Sequence, residues 1–196
     1  MTNVGHCESV PTEFHRLSLA TWAADCAERA LPLFEAAEPQ DDRIRGAIEG
    51  TRAFVVAGVR TRELRALCWD AYTAARSTDD LPASSAARAA AFAVAIPYLG
   101  TSENAYGPME ALGSAVHAAY AFELAAHNER RVGDAAISWS ADRASLTVRE
   151  AVLHLPSCSE YRSQSRLHGM LRMVEAGLRG RRSHCIGVEG RSHIFP

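Results

Sequence analysis

The run Leu19-Ala-Thr-Trp-Ala-Ala-Asp-Cys-Ala-Glu-Arg-Ala-Leu-Pro-Leu-Phe-Glu35 decides the fold class of this chain. Leu19, Trp22, Cys26, Ala30 and Leu33 recur at steps of three and four residues. On a helix of 3.6 residues per turn they form one apolar stripe, while Asp25, Glu28 and Arg29 fall off it. Thr12 is placed to cap the N-terminus, with Glu13 in the first turn, which predicts a helix from 12 to about 37. Pro32 has no amide proton and crowds the preceding turn, so a kink or an end is expected there.

The same period continues outward. Pro39 to Asp42 reads as a loop and cap before a second helix over 42–57, with Ile44, Ala47, Ile48, Thr51, Val55 and Val56 inward and Gly58 ending it. Thr61 caps a third helix over 62–77, with Leu64, Leu67, Cys68, Ala71 and Ala75 inward, followed by an acidic turn from Ser77 to Pro82. A fourth helix covers about Ala83 to Ile96 and stops at Pro97. A loop from Gly100 to Gly107 leads to a fifth, from Pro108 to about His127. Residues 128–146 are ambiguous, Thr147 to Leu155 reads as a short helix, and a last helix capped by Ser157 or Ser159 runs to about Arg179.

No stretch alternates with period two for long enough to found a sheet. The reading is all-α, with antiparallel helical hairpins forming a bundle or a short solenoid. A weak internal echo agrees with stacked hairpins, since the segments opening at Trp22 and at Trp69 share Trp, Ala, Ala and Arg at matching positions. Both tryptophans read as core anchors.

The 196 residues are 47% hydrophobic with a net charge of −2, which excludes disorder of the whole chain. No stretch approaches a membrane span, and Met1 to Pro11 lacks a signal pattern, so a cytoplasmic protein with no membrane partner is expected. All 21 basic residues are Arg. Without Lys, Schiff-base and lysine-nucleophile mechanisms are excluded. The five cysteines form no Cys-x-x-Cys pair and suggest neither a disulfide framework nor a metal site. No cofactor motif occurs. Residues 1–127 carry 16 acids against 10 arginines, and 128–196 carry 7 against 11. The two halves either dock on each other or offer surfaces to different partners.

The domain reading is a flexible arm at 1–11, one helical domain over 12–179 and a basic tail at 180–196. In the tail, Arg181, Arg182 and Arg191 follow Arg179 with only Phe195 as an aromatic, which does not predict a nucleic-acid partner. Two sets of residues are candidates for function. Asp25, Glu28, Asp41, Asp42 and Glu49 form an acidic set that is either a solvated face or a surface for a basic partner. Tyr98, Asn104, His117, Tyr120, Glu123 and His127 could line a pocket between the fourth and fifth helices and do acid–base work. The plainer alternative makes Glu123 and His127, one turn apart, a surface pair open to solvent, and that is the outcome expected.

The segment from Leu19 to Glu35, with Pro39 to Glu49 and Ala53 after it, resembles the first two helices of a largely actinobacterial family of immunity proteins of toxin systems. The likeness is good over 13–57 and extends to 95. It implies an all-helical fold with a family-like part over 13–127 and an unmatched helical extension over 128–179. It also implies a cytoplasmic protein that binds and neutralises a toxin without catalysis. The alternative from another class is a small helical enzyme or ligand-binding protein of specialised metabolism.

Overall fold

A computed structural model of the chain describes residues 12–99, 107–158 and 163–180. Among these, eight α-helices follow in order: α1 (Glu13–Ala37), α2 (Arg43–Ala57), α3 (Arg62–Ser77), α4 (Leu81–Ala95), α5 (Pro108–Ala125), α6 (Arg130–Arg143), α7 (Leu146–Leu153) and α8 (Arg166–Gly180). A short 3-10 turn, Ile96–Tyr98, extends α4. Helices hold 82% of the described residues and no strand occurs among them, so the expected all-helical bundle is the fold. No helix is long and apolar enough to cross a membrane among these residues. The arm at 1–11, residues 100–106 with Asn104 and Tyr106, residues 159–162 with the cap candidate Ser159, and the tail from 181 onward lie outside the described residues.

The centre of the bundle is the pair α4 and α5. The first packs against α1, α2, α3 and α5, the second against α1, α4, α6 and α8, and α7 closes on α1 and α8. Composition explains why α4 can be enclosed. Ala83, Ala86, Ala87, Ala89, Ala90 and Ala93 are all fully buried, so most of its circumference offers only methyl groups. A helix apolar nearly all round belongs inside, and small side chains let neighbouring axes approach closely. Cross-links that satisfy buried polar groups tie α1 to the later helices. Trp22 Nε1 donates to the Ser140 carbonyl at 2.8 Å, and Ser114 Oγ donates to the Ala23 carbonyl at 2.7 Å.

Helix starts follow local chemistry. Thr12 Oγ1 accepts from His15 N at 3.3 Å and His15 Nδ1 accepts from Thr12 N at 3.4 Å, a reciprocal capping box. Thr61 caps α3 and Gly58 takes the left-handed conformation (φ 67°) that ends α2. Several expectations are corrected. The first helix reaches Ala37 as its predicted bounds have it and does not end at Pro32, which lies on an exposed side of the helix, as does Glu28, whose carbonyl it cannot satisfy. In α2 Phe54 joins Ile44, Ala47, Ile48 and Thr51 in the core, while Val56, two residues and about 200° further round the helix, is 89% exposed. The fifth helix stops at Ala125, since His127 and Asn128 adopt positive φ (54° and 65°), and α6 then forms in the stretch that read as ambiguous. The last helix starts only at Arg166; before it, the Glu175 carboxylate accepts from Cys158 N at 3.2 and 3.1 Å.

Trp22 is a core residue, 3% exposed, but Trp69 is 70% exposed. Trp69 precedes the buried Ala71 by two residues, a rotation of about 200°, so it lies roughly opposite the buried stripe of α3. The internal echo therefore pairs a core tryptophan with a surface one and marks no repeated environment.

Candidate functional site

Opposite its buried stripe, α3 carries Arg62, Arg65, Trp69, Tyr72 and Arg76, spaced by three and four residues along one side. The Trp69 and Tyr72 rings meet at 5.8 Å. Arg76 sits over the Tyr72 ring and donates to its hydroxyl at 3.3 Å. Arg65 sits over Tyr98, 5.1 Å from the ring centre, and the Tyr98 hydroxyl donates to the Thr61 carbonyl at 3.1 Å. Arg60, Thr61, Arg62, Arg65 and Tyr98 line an open cavity of about 410 Å³ at this end of the helix.

Two further cavities flank α4. One, of about 350 Å³, is lined by Cys68, Tyr72, Arg88, Ala91, Phe92, Ala95 and His117. The other, of about 210 Å³, is lined by Leu81, Ser84, Ser85, Arg88, His117, Tyr120, Leu124 and Leu167. Arg88 and His117 belong to both. The His117 ring stacks on Phe92 at 5.3 Å with planes 15° apart. Gly113, one turn before His117, leaves room for that arrangement, since a methyl group there would lie 2.6 Å from the Phe92 ring.

Burial and, after it, the positive charge of Arg88 push the His117 pKa down to about 4, so the imidazole is neutral near pH 7. Ser85 Oγ donates to the His117 carbonyl at 2.9 Å and lies 3.4 Å from Nδ1. The hydroxyl proton is thereby used, which assigns the ring proton to Nδ1 and leaves Nε2 an acceptor. The three cysteines among the described residues, Cys26, Cys68 and Cys158, are poor nucleophiles. Burial pushes Cys26 and Cys158 up to about 12 and Cys68 to about 11. Cys68 Sγ also donates to the Val94 carbonyl at 3.1 Å.

Of the proposed pocket residues, the fold brings His117 and Tyr120 to one cavity, with Tyr98 at a separate one and Asn104 outside the described residues. The expected solvent-open pair of Glu123 and His127 does not form. His127 is exposed, but Glu123 is 3% exposed and accepts from Arg166 Nε at 3.0 Å and from Nη2 at 2.5 Å. The docking of α8 on α5 is what covers it.

The acidic set is divided by ion pairing. Arg52 holds Asp25 at 3.0 Å and Glu28 at 2.5 Å, and Arg43 holds Asp41 at 2.5 Å. That guanidinium holds the Asp41 carboxyl below the usual carboxylate range. Asp42 and Glu49 are exposed and make no ion pair among the described residues. Among those residues no group of three or more His, Cys, Asp or Glu is placed to hold a metal.

Sequence reasoning missed Arg88, Phe92 and Tyr72 as cavity residues, and missed the outer face of α3. The face was visible as a three-four spacing of Arg, Trp and Tyr, had Trp69 not been assigned to the core.

Fold and surface together define an all-helical bundle with an exposed aromatic and arginine-bearing helix face and shallow cavities beside it. The chain belongs to the Imm-5 like putative immunity protein family, which it matches over residues 9–147. The match reaches past 95, where the resemblance read from sequence thinned, and takes in α5 and α6. Comparison with curated proteins and with solved structures gives no significant match.

Proposed function

We propose that this protein is a cytoplasmic immunity-like protein that binds a toxin partner and neutralises it by occupancy, without catalysis. The observation that carries the reading is membership of an immunity-protein family over residues 9–147. The state of the buried groups supports it. His117 is neutral, the described cysteines are protonated at physiological pH, and Glu123 is committed to Arg166. Residues 12–179 act as one helical unit in this reading.

From the acidic set, Asp42 and Glu49 supply the free charge for steering a basic patch of the partner, while Asp25, Glu28 and Asp41 share theirs with Arg52 and Arg43. The test is co-expression with the products of the neighbouring genes. One of them should arrest growth alone, be tolerated with this protein, and co-purify with it in a fixed ratio. If no neighbour is toxic, or if a toxic one is neither bound nor tolerated, the reading fails. Neutralising Asp41, Asp42 and Glu49 should then slow association, most visibly at low salt, because exposed charges act through a field screened beyond about 8–10 Å.

The cavity that joins His117 and Tyr120 favours a second reading, a ligand-binding or enzymatic pocket between α4 and α5. In it, Tyr98, Asn104, His117, Tyr120, Glu123 and His127 would be the working set. A run of biosynthetic genes beside this one, with no toxin, would move the assignment there.

A further inference from the structure

We infer that the outer face of α3 is a docking surface for an acidic protein segment that inserts an apolar or aromatic side chain beside Tyr72. The inference deepens the partner-binding reading and rests on its claim of a protein partner, not on that partner being a toxin.

Three observations meet on this face. The first is exposure. Trp69 is 70% exposed on a regular helix whose opposite side is buried, and it adjoins Tyr72, itself 45% exposed. Two exposed rings in contact form a contiguous apolar patch, and it is such patches, more than rings exposed singly, that mark interaction sites.

The second is charge. Arg16, Arg43, Arg45, Arg52, Arg60, Arg166 and Arg179 each pair with a carboxylate. Arg62, Arg65 and Arg76 of this face, and Arg88 beside it, make no such pair among the described residues. The acids of α3, Glu63 and Asp70, lie about 80–120° round the helix from Arg62 and Trp69. The exposed arc therefore carries arginines that no carboxylate pairs with among the described residues. Trp, Tyr and Arg are the side chains that dominate binding energy at protein interfaces, because each couples large area to a directed polar or charged group.

The third is shape. The cavity of about 350 Å³ opens between Tyr72 and Arg88, with Phe92 as an apolar wall. It is large enough for one side chain, and Arg88 at its edge is placed for a carboxylate next to that side chain.

Charge complementarity selects the occupant. A second copy of the chain is a poorer complement, because the four acids of α1, Glu13, Asp25, Glu28 and Glu35, are each engaged by Arg16, Arg60, Arg52 or Arg45. A nucleic acid would use the same rings, but it would approach a chain of net charge −2 and would not need an apolar socket. An acidic segment with one apolar projection satisfies all three features.

The test is selection of displayed random peptides of about twelve residues on the full chain, followed by binding measurements with the enriched synthetic peptides. The expected result is enrichment of Asp and Glu around one apolar or aromatic residue. Binding should fall roughly tenfold or more in Trp69→Ala and in Arg65→Glu, as for a central interface residue. It should be unchanged in Arg131→Glu, on α6, which controls for net charge. Thermal melts matching the parent exclude misfolding as the cause.

Absence of enrichment, peptides without acids, or binding indifferent to Trp69→Ala and Arg65→Glu overturns the proposal. So does single-stranded oligonucleotide binding that Trp69→Ala abolishes, or a dimer in sedimentation that the same change dissolves. Failure of co-expression rescue with success here removes the toxin reading alone, whereas the reverse removes this face alone.

Discussion

Glu123 of α5 and Arg166 of α8, 43 positions apart in sequence, meet as a bidentate ion pair, and Asp134 of α6 accepts from the same guanidinium at 2.6 Å. Three helices are thus closed around one charge cluster, and the hydrogen bonds that Arg166 donates to Glu123 raise the Arg166 pKa above its ordinary value. Removing one partner of a buried pair strands the other, at a cost of about 3–5 kcal/mol. Arg166→Met, which strands the buried Glu123, should therefore lose close to that amount in urea unfolding; Glu123→Gln should lose less, because Asp134 still holds the guanidinium, and Glu123→Leu combined with Arg166→Met should lose less than Arg166→Met alone. Additive losses would show that the pair is not a coupled unit.

The two tryptophans of α1 and α3 should separate cleanly. Trp22→Ala empties a packed site and strands the Ser140 carbonyl, so a loss of about 3–5 kcal/mol is expected. Trp69→Ala removes an exposed ring and should change stability by no more than about 0.5 kcal/mol. Melting curves of the two variants measure both; a comparable loss in Trp69→Ala would return that residue to the core.

His117 sets a pH dependence with a definite sign. Its folded pKa, about 4, lies below the ordinary value of 6.5, so the unfolded chain binds the proton first as pH falls. The stability tied to the neutral imidazole is complete above pH 6.5 and is lost as pH drops through the window to about 4. That shift corresponds to roughly 3 kcal/mol. Unfolding free energies of the parent and His117→Phe should diverge in their slope across this window and run parallel above it. Parallel curves throughout would mean the imidazole is protonated inside the fold.

Close packing at Gly113 gives a fourth test. Alanine is normally favoured over glycine inside a helix by about 1 kcal/mol. At this position the added methyl would press on the Phe92 ring at 2.6 Å, so Gly113→Ala should instead destabilise by about 1–3 kcal/mol. Phe92→Leu in the same chain should recover part of the loss. A stabilised Gly113→Ala variant would show that the ring moves aside freely.

The helix signals of the chain are local, and they were legible in the sequence. Thr12 and Thr61 cap with amides three residues away, Gly58 supplies the left-handed turn, and the stripe from Leu19 to Leu33 needs only the 3.6-residue period. The core role of Trp22 followed from the same stripe. The candidate site was less visible. His117 and Tyr120 were named, but Arg88 and Phe92 come to them from α4, across a loop whose path no local signal reveals.

What the amino acids alone determine here is that the chain is helical, roughly where its helices begin, and which stripe on the first of them is apolar, because caps and periodicity involve groups within one or two turns. Only the packing decides which face of α3 is covered, and so leaves Trp69 in water. Only the packing brings Arg166 over Glu123 and encloses His117 until its charged form is disfavoured. Those outcomes depend on desolvation and on ion pairs between distant segments, and neither exists until α4, α5 and α8 have come together.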